Sequence, residues 1–177
     1  MRAIVVYESM YGNTRHVAEA IARGIDDSGT ARVVPVSMAE AVSLADFDLV
    51  VVGGPTHLHG MSRATTRHTA DDAATASAGD LVMEPDATSE GVREWLASLP
   101  GLTGRAAAFD TRLDAAPLLT GRASKGIAKM LRSAGFELAA QPESFLVDKD
   151  THLLAGEEQR AQAWGAGLLA AKQEDES

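Results

Sequence analysis

The sequence predicts an α/β protein: a doubly wound, five-stranded parallel sheet with helices on both faces. Two observations carry this. Short apolar runs recur along the chain and are nearly continuous in character, as strands covered on both faces require. Helical patterns lie between them, and the alternation gives βαβ units whose right-handed crossovers wind a parallel sheet.

The first strand is "RAIVVY", Arg2 to Tyr7. A helix from Asn13 to Asp26 follows, with Val17, Ala20, Ile21 and Gly24 along one stripe. The next strands are "ARVVPV" (Ala31 to Val36), "DLVVVGG" (Asp48 to Gly54) and "GRAAAF" (Gly104 to Phe109). A fifth, "FELAAQPESFLV" (Phe136 to Val147), is expected to break near Pro142. Ser89 to Ser98 reads as a helix anchored in the core by Trp95 and Leu99. Ala123 to Ala134 reads as another, stopped by Gly135 as a C-terminal cap. The last helix, Gly156 to Ala171, is acidic at its start, as the helix dipole favours, and Trp164 sits at core spacing. The expectation is one domain over residues 1–172, with a polar tail at 173–177 that frays. No internal repeat or interdomain linker interrupts it. One segment is irregular, Pro55 to Thr88, with an insertion at about 61–88; connections of that length are functional or disordered. Its middle, Ser62 to Ala78, could form a surface helix.

With 25 acidic against 16 basic residues, the net charge is −9, and no basic stretch stands out to neutralise phosphates. Nucleic acid is therefore not an expected partner. Cysteine is absent, which excludes disulfides, thiolate metal sites, thiol nucleophiles and iron–sulfur ligation. No apolar run approaches the ~18 residues of a membrane span. With no leader pattern at the N-terminus, the expected location is the cytoplasm.

The loop after the first strand, inside "YESMYGNTRHVAEAI", holds two hydroxyls, a glycine and an asparagine with no cation. At the carboxyl end of a central strand, this is where ligands of open parallel sheets bind. A helix starting near Asn13 offers free N–H groups and a positive dipole end. Ser9 and Thr14 add donors, and Gly12 permits close approach. That set suits a phosphate dianion; the plainer alternative is that Ser9 or Asn13 caps the helix.

The run "VVYESMYGNTRHVAEAI" resembles the FMN-phosphate signature of the flavodoxin family: two aliphatics, then Tyr7, Ser9, Gly12, Thr14, Ala18 and Ile21 at the spacing that signature uses. It is neither a G-x-G-x-x-G fingerprint nor a G-K-[ST] loop. "DLVVVGGPTHLHG", "GRAAAFDTR" and "PESFLV…LLAGEEQRAQAWG" resemble the third, fourth and last strands with the connections that follow them. "PTH…SR..TR" and "FDTR" resemble segments of actinobacterial members. The resemblance implies the flavodoxin-like strand order 2-1-3-4-5 and a cofactor, FMN. It implies that Ser9, Met10, Tyr11, Gly12, Asn13 and Thr14 hold the phosphate. It places Pro55, Thr56, His57, Leu58, His59 and Gly60 on one side of the flavin, and Asp110, Thr111, Arg112 and Leu113 on the other.

Two departures from the family pattern shape the functional expectation. The flavin loops lack Trp, Tyr or Phe beyond Phe109, so stacking would fall to His57 or His59 and to Leu58 and Leu113. Aromatic stacking contributes about 1 kcal/mol per pair, so FMN should bind more weakly here. The resemblance also places Arg63, Arg67, His68 and Arg112 around the flavin mouth, where positive charge favours the reduced anionic flavin; a strongly reducing carrier is not expected. The same arginines could instead pair with Asp71, Asp72 or Asp110. "HLH" with His68 fits no standard metal spacing, so no metal is expected, and His16 and His152 read as surface residues. Ser124 beside Lys125 reads as a helix cap with a solvated lysine, and no G-x-S-x-G elbow occurs. The expected function is an FMN-binding redox protein that transfers electrons through the flavin. Its redox partner, any catalytic residue and its oligomeric state are not readable. The alternatives are an FMN-dependent reductase of a small acceptor such as a quinone, or a binding module of the same fold that has lost flavin.

Overall fold

The computed structural model describes residues 1–57, 60–62, 84 and 90–170. Leu58, His59, Arg63, Arg67, His68, Asp71, Asp72 and Ser89, most of the 61–88 insertion and the 173–177 tail lie outside the described residues.

β1 (Arg2–Tyr7) is buried from Ala3 to Val6, as a strand covered on both faces must be. It pairs in parallel with β2 (Thr30–Pro35) on one side and β3 (Leu49–His57) on the other. β3 pairs in parallel with β5 (Gly104–Leu113), whose far edge is shared by two short strands. β6 (Phe136–Leu138) pairs with its start and β7 (Glu143–Val147) with its end. The order is thus the expected 2-1-3-4-5, with the last strand in two pieces. The break falls at residues 139–142, where Pro142 has no N–H to give a ladder and its carbonyl accepts from Arg122 Nη2 at 2.7 Å.

Two strands run further than the apolar pattern indicates. β3 continues through Pro55, Thr56 and His57 because β5 still pairs with it at Gly54 and Pro55, and because a two-residue strand, β4 (Gly60–Met61), turns back antiparallel onto Thr56 and His57. β1 stops pairing at Gly53, so Pro55 lies where β3 has lost one neighbour, a position proline tolerates. β5 continues to Leu113 because β7 pairs with Phe109 to Leu113. β2, conversely, ends at Pro35, and Val36 opens a 3₁₀ turn, Val36–Ala41.

Alternation along the strands sorts the core into two layers. Ala3, Val5, Val51, Ala107 and Phe109 face α1 (Asn13–Asp26) and α5 (Glu157–Ala170). Ile4, Val6, Val52, Ala106 and Ala108 face α2 (Val92–Ser98) and α4 (Ala123–Ser133). α2 is shorter than the predicted helix; Trp95 is buried in it and Leu99 packs against the same layer. Trp164 is only partly buried and meets Phe109 and Phe145 edge-on. Gly135, at φ 103°, follows α4 as its expected stop. A short turn of helix, α3 (Pro117–Thr120), lies between β5 and α4.

Candidate functional site

The first N–H groups of α1, at Asn13, Thr14 and Arg15, have no carbonyl four residues back inside the helix. They lie at the carboxyl end of β1, next to the carboxyl ends of β3, β5 and β7. Between these ends is a cavity of about 190 Å³. The loop after β1 lines it with Ser9, Met10, Tyr11, Asn13 and Thr14. The end of β3 adds Pro55, Thr56 and His57, and the end of β5 adds Thr111, Arg112 and Leu113.

Local bonds set the loop's shape. Gly12 precedes α1 at φ 88°, a left-handed conformation that L side chains adopt at a cost. Its N–H donates to Ser9 Oγ at 3.1 Å. No side chain caps α1, so neither Ser9 nor Asn13 serves as the cap. Asn13 Nδ2 instead donates to the Thr151 carbonyl at 2.6 Å. The hydroxyls of Thr14 and Thr111 share a 2.8 Å hydrogen bond, tying the loop to β5. Thr56 Oγ1 accepts the Ala123 N–H at 2.9 Å, which fixes β3 against the start of α4.

Among the described residues, Asp110 and Gly60 lie away from the cavity, and Gly12 shapes the loop without lining it. Asp110 is fully buried and does not line the cavity. Because β5 extends, alternation turns Asp110 towards α4 while Thr111 reaches Thr14. Asp110 Oδ2 accepts the Ser124 N–H at 2.7 Å, so Asp110 caps α4, the role sequence reading assigns to Ser124. Burial, only partly offset by that hydrogen bond, pushes the Asp110 carboxyl above its ordinary range. Gly60 sits in β4 and is not a lining residue. Arg112 lines the cavity, but its Nη1 is committed to the Leu113 carbonyl at 3.2 Å, the Ala115 carbonyl at 2.7 Å and Thr120 Oγ1 at 3.4 Å. It staples the turn into α3, and Asp110, whose Oδ2 accepts the Ser124 N–H, is not among these partners.

Sequence reasoning missed a fourth wall: Val147, the last residue of β7, with Asp148, Lys149 and Thr151 just after it. Its one signal is conformational, since Thr151 is the one non-glycine residue at positive φ, 63°, among the described residues. It also missed Glu8. This buried carboxylate accepts from the Val92 N–H at 2.9 Å and from the Ser62 hydroxyl, so one side chain holds both sides of the long connection beneath the loop. Among the described residues no group of three or more His, Cys, Asp or Glu could hold a metal. None of their helices is long and apolar enough to cross a membrane.

The fold and this cavity define a doubly wound α/β protein with an anion-receptive loop at the carboxyl edge of its sheet. A family model, Flavodoxin, matches residues 5–99, and the chain belongs to the flavodoxin family. Flavodoxins bind FMN and transfer electrons through it, and that is the class of function the chain carries. Nothing among curated proteins matches it. Among solved structures it is similar to a flavodoxin from the domain Archaea, at 22% identity and TM-score 0.62, covering 97% of this chain and 99% of that one. Oxidised flavodoxin 1 from Bacillus cereus gives 19% identity and TM-score 0.63 over 96% and 98% of the two chains. A flavodoxin from Streptococcus pneumonia gives 18% and 0.62 over 96% and 99%. At these identities the structural matches speak for the fold alone. The residues present fit the cofactor's phosphate: a left-handed glycine, open helix N–H groups and neutral hydroxyls form a cradle suited to a dianion.

Proposed function

We propose that this chain is an FMN-dependent electron carrier of the cytoplasm, with the FMN phosphate in the loop Ser9 to Thr14. In this reading the ring lies between the Pro55–Gly60 turn and Thr111 to Leu113, with Asp148 to Thr151 closing the remaining side. FMN supplies the one- and two-electron chemistry. The chain's own residues bind it, orient it and set the charge around it.

One observation supports the reading above the rest: the cavity joins the open N-terminus of α1 to the ends of β3 and β5. Leu113, Leu118 and Leu119 are 44%, 92% and 68% exposed at the adjoining turn, and an apolar rim of this kind suits docking of a redox partner. Arg112 and Lys149 line the cavity, where Asp148 is the one carboxylate among the described lining residues, and Lys149 Nζ stands 3.9 Å from Asp150. Two cations there favour the reduced anionic flavin, so a modest potential is expected.

The test is direct. Purified protein should quench FMN fluorescence with one site per chain, and reductive titration should give a couple less negative than that of strongly reducing flavodoxins. Colourless protein that leaves FMN fluorescence untouched would sink the reading in favour of a flavin-free module. NAD(P)H-driven turnover of a quinone by the protein alone would move it to a reductase.

A further inference from the structure

Glu84 lies far along the chain from the loop it touches. Its N–H donates to the Met10 carbonyl at 2.7 Å, so backbone contact seats it on the loop after β1. Its Oε1 accepts from Arg15 Nε at 3.1 Å. The same oxygen stands 3.2 Å from where a Cβ on Gly12 would be, and Arg15 Nη2 stands 3.8 Å from that point. Arg15 is also held by Glu19, at 3.3 Å from Nη1. The Glu84 side chain is 23% exposed and that of Arg15 37%, so the pair is partly shielded from water.

Arg15 is in the first turn of α1, where a guanidinium could serve an anion, and two carboxylates occupy it. We infer that Glu84 is a specificity-determining charge on the phosphate loop. It neutralises Arg15 and sets a negative oxygen against Gly12, which weakens binding of the phosphate-bearing flavin relative to the flavin without phosphate. The inference rests on the FMN reading and deepens it. A carboxylate beside a dianion repels it by ordinary Coulomb interaction, while the uncharged end of the flavin is unaffected. Because the Met10 contact uses the Glu84 backbone, removing the charge leaves the seating in place.

The experiment compares FMN and riboflavin by fluorescence quenching, in wild type and Glu84→Gln, at low and high salt. Gln keeps an oxygen for Arg15 Nε and loses only the charge. FMN should bind about fivefold more tightly to Glu84→Gln, riboflavin should bind equally to both, and the gain should shrink in high salt. Arg15→Gln should weaken FMN binding more in the Glu84→Gln background than in wild type. An unchanged FMN-to-riboflavin ratio, or equal losses for both flavins, would overturn the inference and mark Glu84 as a purely structural contact. If wild type binds neither flavin, the cofactor reading fails on its own. The inference is then read from protection by inorganic phosphate against thermal unfolding. Greater protection of Glu84→Gln supports it, and equal or smaller protection overturns it.

Discussion

Asp110 and Thr111 are neighbours in β5 that serve opposite faces of the sheet. Thr111 closes on Thr14 at 2.8 Å, and Asp110 accepts the Ser124 N–H beneath α4. Burial raises the Asp110 carboxyl above its ordinary value, and this has a stability consequence with a definite sign. Below about pH 4, the ordinary carboxyl value, both folded and unfolded chains hold the proton. Above it the unfolded chain releases the proton while the folded chain retains it, so stability falls as pH rises from about 4 towards the raised folded value. Asp110→Asn keeps an acceptor for the Ser124 N–H and removes the ionisation. It should flatten that part of the pH profile and be more stable than wild type at pH 7 but not at pH 3.5, as read by urea unfolding across the range. An unchanged slope would show that the buried carboxyl is not the source. Glu8 is a second buried acid that no sequence pattern marks, since its partners, Ser62 and Val92, stand far away along the chain.

At the scale of elements, α1 and α5 meet through two glycines. A Cβ on Gly24 would lie 1.9 Å from the Gln162 carbonyl oxygen, and one on Gly165 would lie 2.2 Å from that of Ile21. These contacts are to backbone, which cannot swing aside, so the helices would have to separate. Gly167, two residues on, has open space around its Cβ position. The two positions should therefore respond oppositely to alanine. Gly167→Ala should stabilise by about 0.5–1 kcal/mol through helix propensity. Gly165→Ala gains the same propensity, but overpacking costs about 1–3 kcal/mol or more, and the clash wins. Chemical denaturation of the two variants checks this, and equal effects would refute the close approach. β3 and β5 make a related point about elements. Their apolar stretches end at Gly54 and Phe109, but the strands continue to His57 and Leu113 because neighbouring strands are there to pair with them.

For the whole molecule, the strand order brings the ends of β1, β3, β5 and β7 to one edge, where four segments remote in sequence wall a single cavity. A ligand held by all four binds the folded chain and not the unfolded one. FMN at about 100 times its Kd should then add roughly 2.7 kcal/mol to the unfolding free energy, measured as a shift in the urea midpoint; no shift at that saturation would contradict cofactor binding at this edge. The alternation of strands and helices, the four longer helices, the break at Pro142 and the loop Ser9 to Thr14 were legible in the residues alone, while the strand order came from the family resemblance. Each feature legible in the residues rests on local information: apolar runs, helical periodicity, a proline without an N–H, and a hydroxyl- and glycine-bearing turn before a helix. The wall at Asp148 to Thr151, the clamp of Glu8, the seating of Glu84 on Met10 and the direction of Asp110 were not. Those depend on which segments the folded sheet brings together and which face each strand residue presents once its neighbours extend it. The sequence by itself determined the kind of fold and the anion-receptive loop, because periodicity and turn chemistry act over a few residues. Tertiary structure alone decided which charges surround that loop, because groups distant along the chain meet only when the sheet has formed.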